Sequence, residues 1–379
     1  MSTELSYWEK ESFFCNYDAI VIGSGIVGLN AAIQLKKTAP SLKIVILEKG
    51  FLPTGSSTKN AGFACFGSIS ELIEQEKLIG SDRLTMLIEK RWKGLLKLRH
   101  LLGDNTIDYQ CLGGYELFKK EDNFSADLGV SKIEHFNHLV NDIVGSDAFL
   151  LNNKKISFFG FDGVDRLVRN QYEAQIDTGK MMSALIQYAQ QLGISIFNNC
   201  KVDRIEEESK GFCLVTKNGN FLCKRLIVTA NAYIKDLYPD VDINPGRGQV
   251  LITKPIKNLK IKGTFHYDKG YYYFRNINNR ILLGGGRNID FKAEETTTFG
   301  QTEPVQSALE QLLREVILPT TNYEIDYRWS GIMAFGKTLE PLIEEIRPNV
   351  FCATRCNGMG VAIGSQSGEE VANLLLNKL

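Results

Sequence analysis

The sequence predicts an α/β fold built from two intergrown domains, and three observations predict it. Residues Asp18 to Glu48 read as a strand, a glycine turn, a helix and a second strand. Residues Asn349 to Leu376 repeat the strand, glycine turn and helix near the other end of the chain. Two β-rich blocks lie between them, and 379 residues exceed what one small core organises.

The first unit carries the most specific chemistry. The apolar run Ala19-Ile20-Val21-Ile22 stops at Gly23-Ser24-Gly25-Ile26-Val27-Gly28 and resumes as a helix through Leu35. A second apolar strand, Lys43 to Leu47, ends on Glu48, twenty residues beyond Gly28. Gly23 permits the tight turn, Gly25 lets a pyrophosphate approach the backbone, and Gly28 lets helix and strand pack closely. The helix N-terminus offers free N–H groups and a partial positive charge to phosphates. Glu48 stands where a carboxylate accepts hydrogen bonds from both hydroxyls of an adenosine ribose, which disfavours a 2′-phosphate. A GxGxxG pattern alone is weak in a chain with 34 glycines. The strand before it, the helix after it and the acid beyond are three separate supports for a dinucleotide. They do not distinguish FAD from NAD.

The remaining elements follow in order. The loop Pro53 to Gly62 is made of small and hydroxyl residues that offer donors at close range, and its place after the nucleotide acid favours a ligand-facing role. Residues 70–102 keep an i, i+3, i+4 apolar spacing and predict packed helix. Gly113-Gly114 before Tyr115 to Phe118 predicts a turn and strand, and residues 119–160 are polar and read as irregular. Asp177 or Thr178 caps a helix from Met181 to Leu192. A β-meander follows over Lys201 to Ala230, with a hairpin turn at Asn218-Gly219. The second β block runs from Gly246 through Thr253 and from Gly270 through Gly286, turning at Asn278-Asn279. Its Tyr271-Tyr272-Tyr273 run is aromatic on both strand faces, so one face can fill the core while the other lines a flat pocket; plain sheet core is the competing reading.

Composition narrows the function classes. Lys plus Arg and Asp plus Glu both number 44, so no global charge points to nucleic acid or an anionic membrane. Apolar residues at 44% and charged ones at 23% are those of an ordinary globular chain with no membrane span. The N-terminal stretch lacks the apolar core of a signal peptide, and a cytoplasmic location is expected. Eight cysteines form no CxxC pair and read as reduced thiols. Four scattered histidines make no metal-ligand pattern, so no metal is expected and redox chemistry requires an organic cofactor.

With these residues in view the chain resembles the D-amino-acid oxidase-like family of FAD-dependent oxidoreductases, which includes glycine, sarcosine and γ-glutamylputrescine oxidases. The matching stretches are Asp18 to Gly28 with Glu48, Gly55 to Gly62, Ile176 to Leu185, Leu226 to Tyr233, Pro245 to Thr253, Tyr271 to Arg275 with Arg280 to Arg287, and Arg355 to Val361. The resemblance implies non-covalent FAD bound by a Rossmann-like domain assembled from residues 1–102, 168–244 and 326–379. It implies a substrate domain on an antiparallel sheet from residues 103–167 and 245–325. Gly23, Gly25, Ile26, Val27 and Gly28 would take the pyrophosphate, and Glu48 with Lys49 the ribose. Val202, Ala230 and Asn231 would lie near the nucleotide. Ser56, Ser57, Asn60, Ala61 and Gly62 would run along the ribityl chain and flavin, and Gly358, Met359, Gly360 and Val361 would face the pyrimidine end. The implied reaction is hydride transfer from a C–H beside an amine nitrogen to flavin N5, giving an imine that hydrolyses.

Departures from the family pattern bear on the substrate. Met333 stands where amino-acid oxidases carry a carboxylate-binding Arg, which leaves Arg275, Arg287 and Arg355 as candidates for that role. Leu282 stands where sarcosine oxidases carry a Lys that promotes the oxygen reaction, so oxygen and a quinone or other carrier both remain as electron acceptor. Ile332 occupies the place of the family's flavin-linking Cys. Arg355 is a candidate cation at the flavin N1/O2 edge or a surface salt bridge, and His266 a candidate base. Tyr272, Tyr273, Arg275, Arg355 and His266 are therefore the catalytic candidates, acting on a small amine or amino acid. Three other readings compete: a 2-hydroxy-acid dehydrogenase of the same fold, which carries a His where Lys59 stands, a non-catalytic flavin protein, and an NAD-linked dehydrogenase.

Overall fold

The computed structural model describes residues 4–379. Its centre is an eight-stranded sheet whose core is parallel. Strand Asn16–Ile22 pairs in parallel with Ile44–Leu47 on one side and Gly219–Val228 on the other. Ser195–Phe197 extends one edge and Val350–Thr354 the other, both in parallel, and Leu342–Arg347 closes the row antiparallel. The strands Asn16–Ile22 and Ile44–Leu47 are apolar along nearly their whole length because both faces are covered. One face carries the helices Ile26–Thr38, Thr178–Gln191 and Gly360–Leu376 over a core including Leu29, Ile46, Leu185 and Phe351. The other carries the meander of Val202–Glu208, Gly211–Thr216 and the first half of Gly219–Val228 over Ile20, Leu214 and Val350.

A second eight-stranded sheet has the spatial order Ile325–Phe335, Asn244–Thr253, Arg280–Gly285, Tyr272–Ile277, Thr264–Tyr267, Gly114–Lys119, Val164–Asn170 and Phe149–Leu151. All its pairs are antiparallel except Thr264–Tyr267 with Gly114–Lys119. Its outer face is an aromatic core in which Phe265 and Phe274 stack at 4.6 Å under helix Glu303–Leu312. Its inner face looks toward the first sheet. The Asn278-Asn279 turn is confirmed, both residues lying at positive φ of 47° and 58° as a two-residue hairpin requires.

Several local expectations shift. The helical run over residues 70–102 is two helices, Ile69–Ile79 and Ser81–Leu102, parted at Gly80, whose φ of 79° no ordinary helix residue adopts. Asp177, not Thr178, caps Thr178–Gln191, accepting from the Lys180 N–H at 2.9 Å. The meander turn sits on Lys217-Asn218, one residue early, since Thr216 pairs with Gly219. Residues 119–160 are not irregular: they form helices Asn123–Ser131, Ile133–Val144 and Lys154–Phe159 with the strand Phe149–Leu151. Phe136 and Val140, one turn apart, are fully buried against Phe66 and Phe149, and their spacing was outweighed by the polar residues around them. At the expected domain limits, Val164–Asn170 spans the boundary at 167/168, and Ile325–Phe335 joins the second sheet although residues from 326 were expected with the first. No helix among the described residues is long and apolar enough to cross a membrane.

Candidate functional site

The site begins where the strands Asn16–Ile22 and Ile44–Leu47 end side by side. A cleft there is lined by Gly23, Gly25, Glu48, Lys49, Ser56 and Ser57. Val202, Thr229, Ala230, Asn231 and Tyr233 form its far side. Glu48 is buried and anchors the turn: Oε2 accepts from the Ser24 N–H at 3.0 Å and its hydroxyl at 2.8 Å, and Oε1 from the Gly50 N–H at 2.8 Å. The Thr229 hydroxyl donates to the Ile22 and Gly23 carbonyls at 2.9 and 3.1 Å, fixing the glycine turn from the neighbouring strand. Gly28 is required by close approach: a Cβ there would lie 2.0 Å from the Gly23 carbonyl oxygen. The helix behind the turn has no side-chain cap, and the Ile26 N–H meets Ser57 Oγ at 3.0 Å. Bare backbone donors at a helix start, a carboxylate at the strand end and no room for side chains suit a dinucleotide. Lys49 Nζ lies over the Tyr233 ring, and burial lowers its pKa against the pull of Asp236 and Glu48.

Not every residue expected at the nucleotide points there. The side chains of Ile26 and Val27 face the closing helix, where a Cβ on Gly364 would lie 2.8 Å from Ile26 Cγ2 and one on Gly368 2.6 Å from the Val27 carbonyl. Their share of the cleft is backbone. Asn60 is the strut of the loop: it donates to the Ser57 carbonyl at 2.8 Å and accepts from the Gly62 N–H and the Thr178 hydroxyl, both at 2.9 Å. Asn231, at φ 51°, holds the Ile332 carbonyl at 3.0 Å.

The loop leads to the inner face of the second sheet. Ala61 packs with Val250 and Leu282, next to Phe63, Tyr273 and Trp329. Two hydrogen-bonding side chains pin the loop to this sheet. Trp329 Nε1 donates to the Lys59 carbonyl at 3.0 Å, and Arg275 Nη1 donates to the carbonyls of Gly62 and Ile176 at 3.0 and 2.7 Å. Beside them is a floor of glycines. A Cβ on Gly284 would strike the Tyr273 ring at 2.6 Å, and one on Gly248 would come within 3.1 Å of Met333 and 3.7 Å of the Tyr273 hydroxyl. Met333 Sδ is 4.0 Å from the Cβ position of Gly358, so this floor adjoins the start of the closing helix, where Met359, Gly360 and Val361 lie.

The five catalytic candidates separate. Alternation along Tyr272–Ile277 puts Tyr273 and Arg275 on the inner face and Tyr272 on the outer, where it sits against Tyr267 at 5.8 Å. Tyr272 belongs to the sheet core. Arg275 is committed to two carbonyls, and burial lowers its pKa to about 10, still charged at neutral pH. Arg355 is not a free cation: Nη1 pairs with Asp242 at 2.7 Å, Nη2 with Thr338 at 2.7 Å and Nε with the Glu340 carbonyl at 3.2 Å. It is a salt bridge, but not a surface one: the guanidinium is buried. His266 is a poor base: both ring nitrogens face carboxylates, Glu173 at 2.6 Å and Glu71 at 3.6 Å, which favour its protonated form. Burial pushes its imidazole down, but Glu173, then Glu71 and Glu116, outweigh it and hold the pKa at about 9. Tyr273 remains, a hydroxyl with no partner among the described residues and a pKa that burial pushes up to about 12.

Around His266 the structure assembles a cluster that nothing in the linear sequence signals. Nε2 meets Glu173 Oε1 at 2.6 Å, Thr264 donates to the same oxygen at 2.7 Å, and Nδ1 lies 3.6 Å from Glu71. Glu116 accepts from the Ser70 N–H at 2.9 Å and from its hydroxyl; burial raises its pKa to about 7 against those bonds. Cys65 Sγ, Glu173 and His266 place ligand atoms within 4.8 Å of one another. Burial holds the Cys65 thiol well above its ordinary pKa, and Glu173 and His266 are already bonded to each other, so the group reads as an ion pair beside a neutral thiol. Phe63 joins the cluster to the glycine floor, its ring edge-on to both His266 at 5.3 Å and Tyr273 at 5.7 Å.

A family model described as FAD dependent oxidoreductase, DAO, matches residues 18–374. The chain belongs to this family. It is an FAD-dependent oxidoreductase, and the cleft is the kind of site its cofactor requires. Relatives are distant but collinear. The chain is 22% identical over 376 residues to a probable oxidoreductase, OrdL, of Rhizobium meliloti, covering 95% of this chain and 83% of that one. It is 23% identical over 385 residues to the gamma-glutamylputrescine oxidoreductase of Escherichia coli, covering 97% and 84%. Among solved structures, glycine oxidase from Geobacillus kaustophilus superposes with a TM-score of 0.76 at 18% identity, over 96% of this chain and 95% of that one. That likeness extends the fold of the DAO enzymes to both sheets.

Proposed function

We propose that the enzyme oxidises the C–N bond of a small amine or amino acid to an imine, which water then hydrolyses to a carbonyl compound and the free amine or ammonia. When bound, FAD supplies the two-electron acceptor, taking a hydride at N5 from the carbon beside the nitrogen. Two of the similar proteins, a gamma-glutamylputrescine oxidoreductase and a glycine oxidase, are named for substrates that carry an amine nitrogen, which supports this reading. The observation that carries the reading is the single loop Ser56 to Gly62. Ser56 and Ser57 line the nucleotide cleft, and the same loop is tied through its Lys59 and Gly62 carbonyls to Trp329 and Arg275 of the second sheet, the sheet that carries Tyr273 and the glycine floor.

In this reading Gly23, Gly25 and Gly28 with the first turn of helix Ile26–Thr38 hold the pyrophosphate. Glu48 holds the ribose, with Lys49, Val202, Ala230 and Asn231 around the nucleoside. Ser56, Ser57, Ala61 and Gly62 flank the ribityl chain, and Gly358 to Val361 present helix N–H groups to the flavin's pyrimidine edge. Ile332 stands in the place of the family's flavin-linking Cys, and FAD is expected to be non-covalent and released on denaturation. The two sheets divide the labour: residues 4–102, 168–244 and 336–379 bind cofactor, and residues 103–167 and 245–335 bind substrate. Hydride loss requires the neutral amine rather than a strong base, and the protonated His266 is consistent with that. The Tyr273 hydroxyl, neutral and without a partner, is the group free to orient the nitrogen.

Anaerobic mixing with panels of amines, amino acids and 2-hydroxy acids tests this, read as loss of flavin absorbance near ~450 nm. Bleaching by amines or amino acids is expected, and readmitting air then shows whether oxygen reoxidises the cofactor. Bleaching by hydroxy acids alone overturns the reading.

A further inference from the structure

A second pocket lies outside the cofactor cleft and shares no lining residue with it. Its volume is about 200 Å³. It opens between the hairpin turn at Asn278-Asn279 and the backbone bridge that ties Gln110 to Gln175 at 2.9 and 3.0 Å. Two cations line it. Arg275 is 3% exposed, and its Nη1 is taken by the Gly62 and Ile176 carbonyls. Its Nε is buried without a partner, and Nη2 makes no hydrogen bond among the described residues. The exposed Lys262 likewise has no hydrogen bond or ion pair among the described residues. The pocket's carboxylate, Asp108, is already engaged: it accepts from Gln110 Nε2 at 3.0 Å, with Lys180 Nζ at 3.9 Å. The balance is positive, and no carboxylate bonds to the buried guanidinium. That arrangement calls for an anion.

The neutral groups narrow which anion. Asn276 also lines the pocket; its Oδ1 accepts from the Gly263 N–H at 2.8 Å, and its Nδ2 has no partner among the described residues. The same holds for the side-chain amides of Asn278 and Asn279. One acceptor stands among these donors. Gln175 donates from Nε2 to Gln110 at 3.1 Å, and its Oε1 is buried without a partner. A carboxylate brings two oxygens and no hydrogen, too few for so many donors and nothing for Gln175. Inorganic phosphate brings four oxygens and keeps a hydroxyl in both of its charge forms near neutral pH. Sulfate has no hydroxyl there, and a phosphomonoester has largely lost its own, with a second pKa of about 6.

We propose that this pocket is an effector site for inorganic phosphate, and that phosphate stabilises the holoenzyme through Arg275, whose opposite edge holds the cofactor loop at Gly62. The site is separate from the flavin chemistry, and its test reads binding rather than turnover. Holoenzyme in excess FAD, which keeps phosphate out of the pyrophosphate cleft, is melted and titrated calorimetrically. The ligands are phosphate, sulfate and methyl phosphate, each against chloride at one ionic strength and pH. Phosphate raises the melting temperature, and the rise grows with the logarithm of its concentration once the site is filled. Sulfate and methyl phosphate bind more weakly. K262Q, at an exposed side chain that holds nothing in the fold, weakens phosphate about 10-fold, the range of one charge-assisted hydrogen bond. Q175M abolishes the preference for phosphate over sulfate; should it fail to fold, K262Q still decides. No shift beyond that of chloride, or wild-type phosphate affinity in K262Q, overturns the site. Sulfate or methyl phosphate binding as tightly as phosphate overturns the assignment of the ligand.

Discussion

At the start of helix Ile26–Thr38 the site is made of backbone: glycines, bare N–H groups and one carboxylate that ties the turn together. On the inner face of the second sheet it is made of side chains brought from several strands, a helix and loops, Tyr273, Met333, Trp329 and the His266 cluster among them. The first construction tolerates almost no atom added, and the second is a matter of which side chains meet. Substitutions in the two regions should therefore fail in different ways.

The largest effect belongs to the backbone region. Gly28→Val places a side chain against a carbonyl oxygen that a Cβ alone would approach to 2.0 Å, and relief requires helix and strand to separate. The expected cost is about 3 kcal/mol or more, with protein that is colourless on purification and does not take up FAD on reconstitution. Retention of FAD by this variant would show that the turn is not the binding element and would erase the contrast between the regions.

Arg275→Met attacks the joint between them. It leaves the buried Ile176 carbonyl without a donor and the Gly62 carbonyl with only the Ile176 N–H, at about 1–3 kcal/mol for the orphaned acceptor. Thermal unfolding should show a clear loss of stability, with weaker FAD retention because Gly62 ends the cofactor loop. A variant as stable as the parent would mean that water replaces the guanidinium and that the loop is held by other contacts.

The difference in materials also explains what the sequence revealed. The nucleotide cleft is contiguous from Asp18 to Glu48, and each glycine has a local reason that spacing displays. The alternation in Tyr271-Tyr272-Tyr273 was visible too, but which tyrosine faced inward depended on the register with Thr264–Tyr267 and Arg280–Gly285. Glu173 and His266 are 93 residues apart and carry no pattern of their own. For Arg355 the choice between a flavin-edge cation and a salt bridge stayed open because its partner Asp242 lies 113 residues away. Long-range pairing, not local propensity, decided these roles.

The His266 cluster gives a pH-dependent test of the side-chain region. Its imidazole is held at about 9 in the folded protein against an ordinary 6.5, and Glu116 at about 7 against 4.5. Both groups hold protons more tightly folded than unfolded, so the stability they contribute is lost as pH rises. For Glu116 the loss runs through about pH 7, and for His266 it begins above the unfolded value and is complete beyond about pH 9. The melting temperature should fall between pH 7 and 9.5 without a change in FAD content. The H266Q/E173Q pair should flatten the upper part of that curve. An unchanged slope in the double variant would place the titrating group elsewhere.

The smallest effect is expected at Trp329, the second joint. Trp329→Phe keeps an aromatic ring against Ala61 and Tyr273 but removes the Nε1 donor to the Lys59 carbonyl. That residue is part-buried and its acceptor lies near solvent at the loop, so water can take over the bond and the loss should be about 1 kcal/mol. The informative readout is functional. Lys59 belongs to the loop that runs from the cleft-lining Ser56 and Ser57 to Ala61 on the second sheet, so loosening it should raise KM several-fold at nearly constant kcat while FAD stays bound. Were FAD lost instead, as expected for Gly28→Val, the loop would belong energetically to the backbone region, and the boundary between the two constructions would lie beyond Gly62 rather than before it.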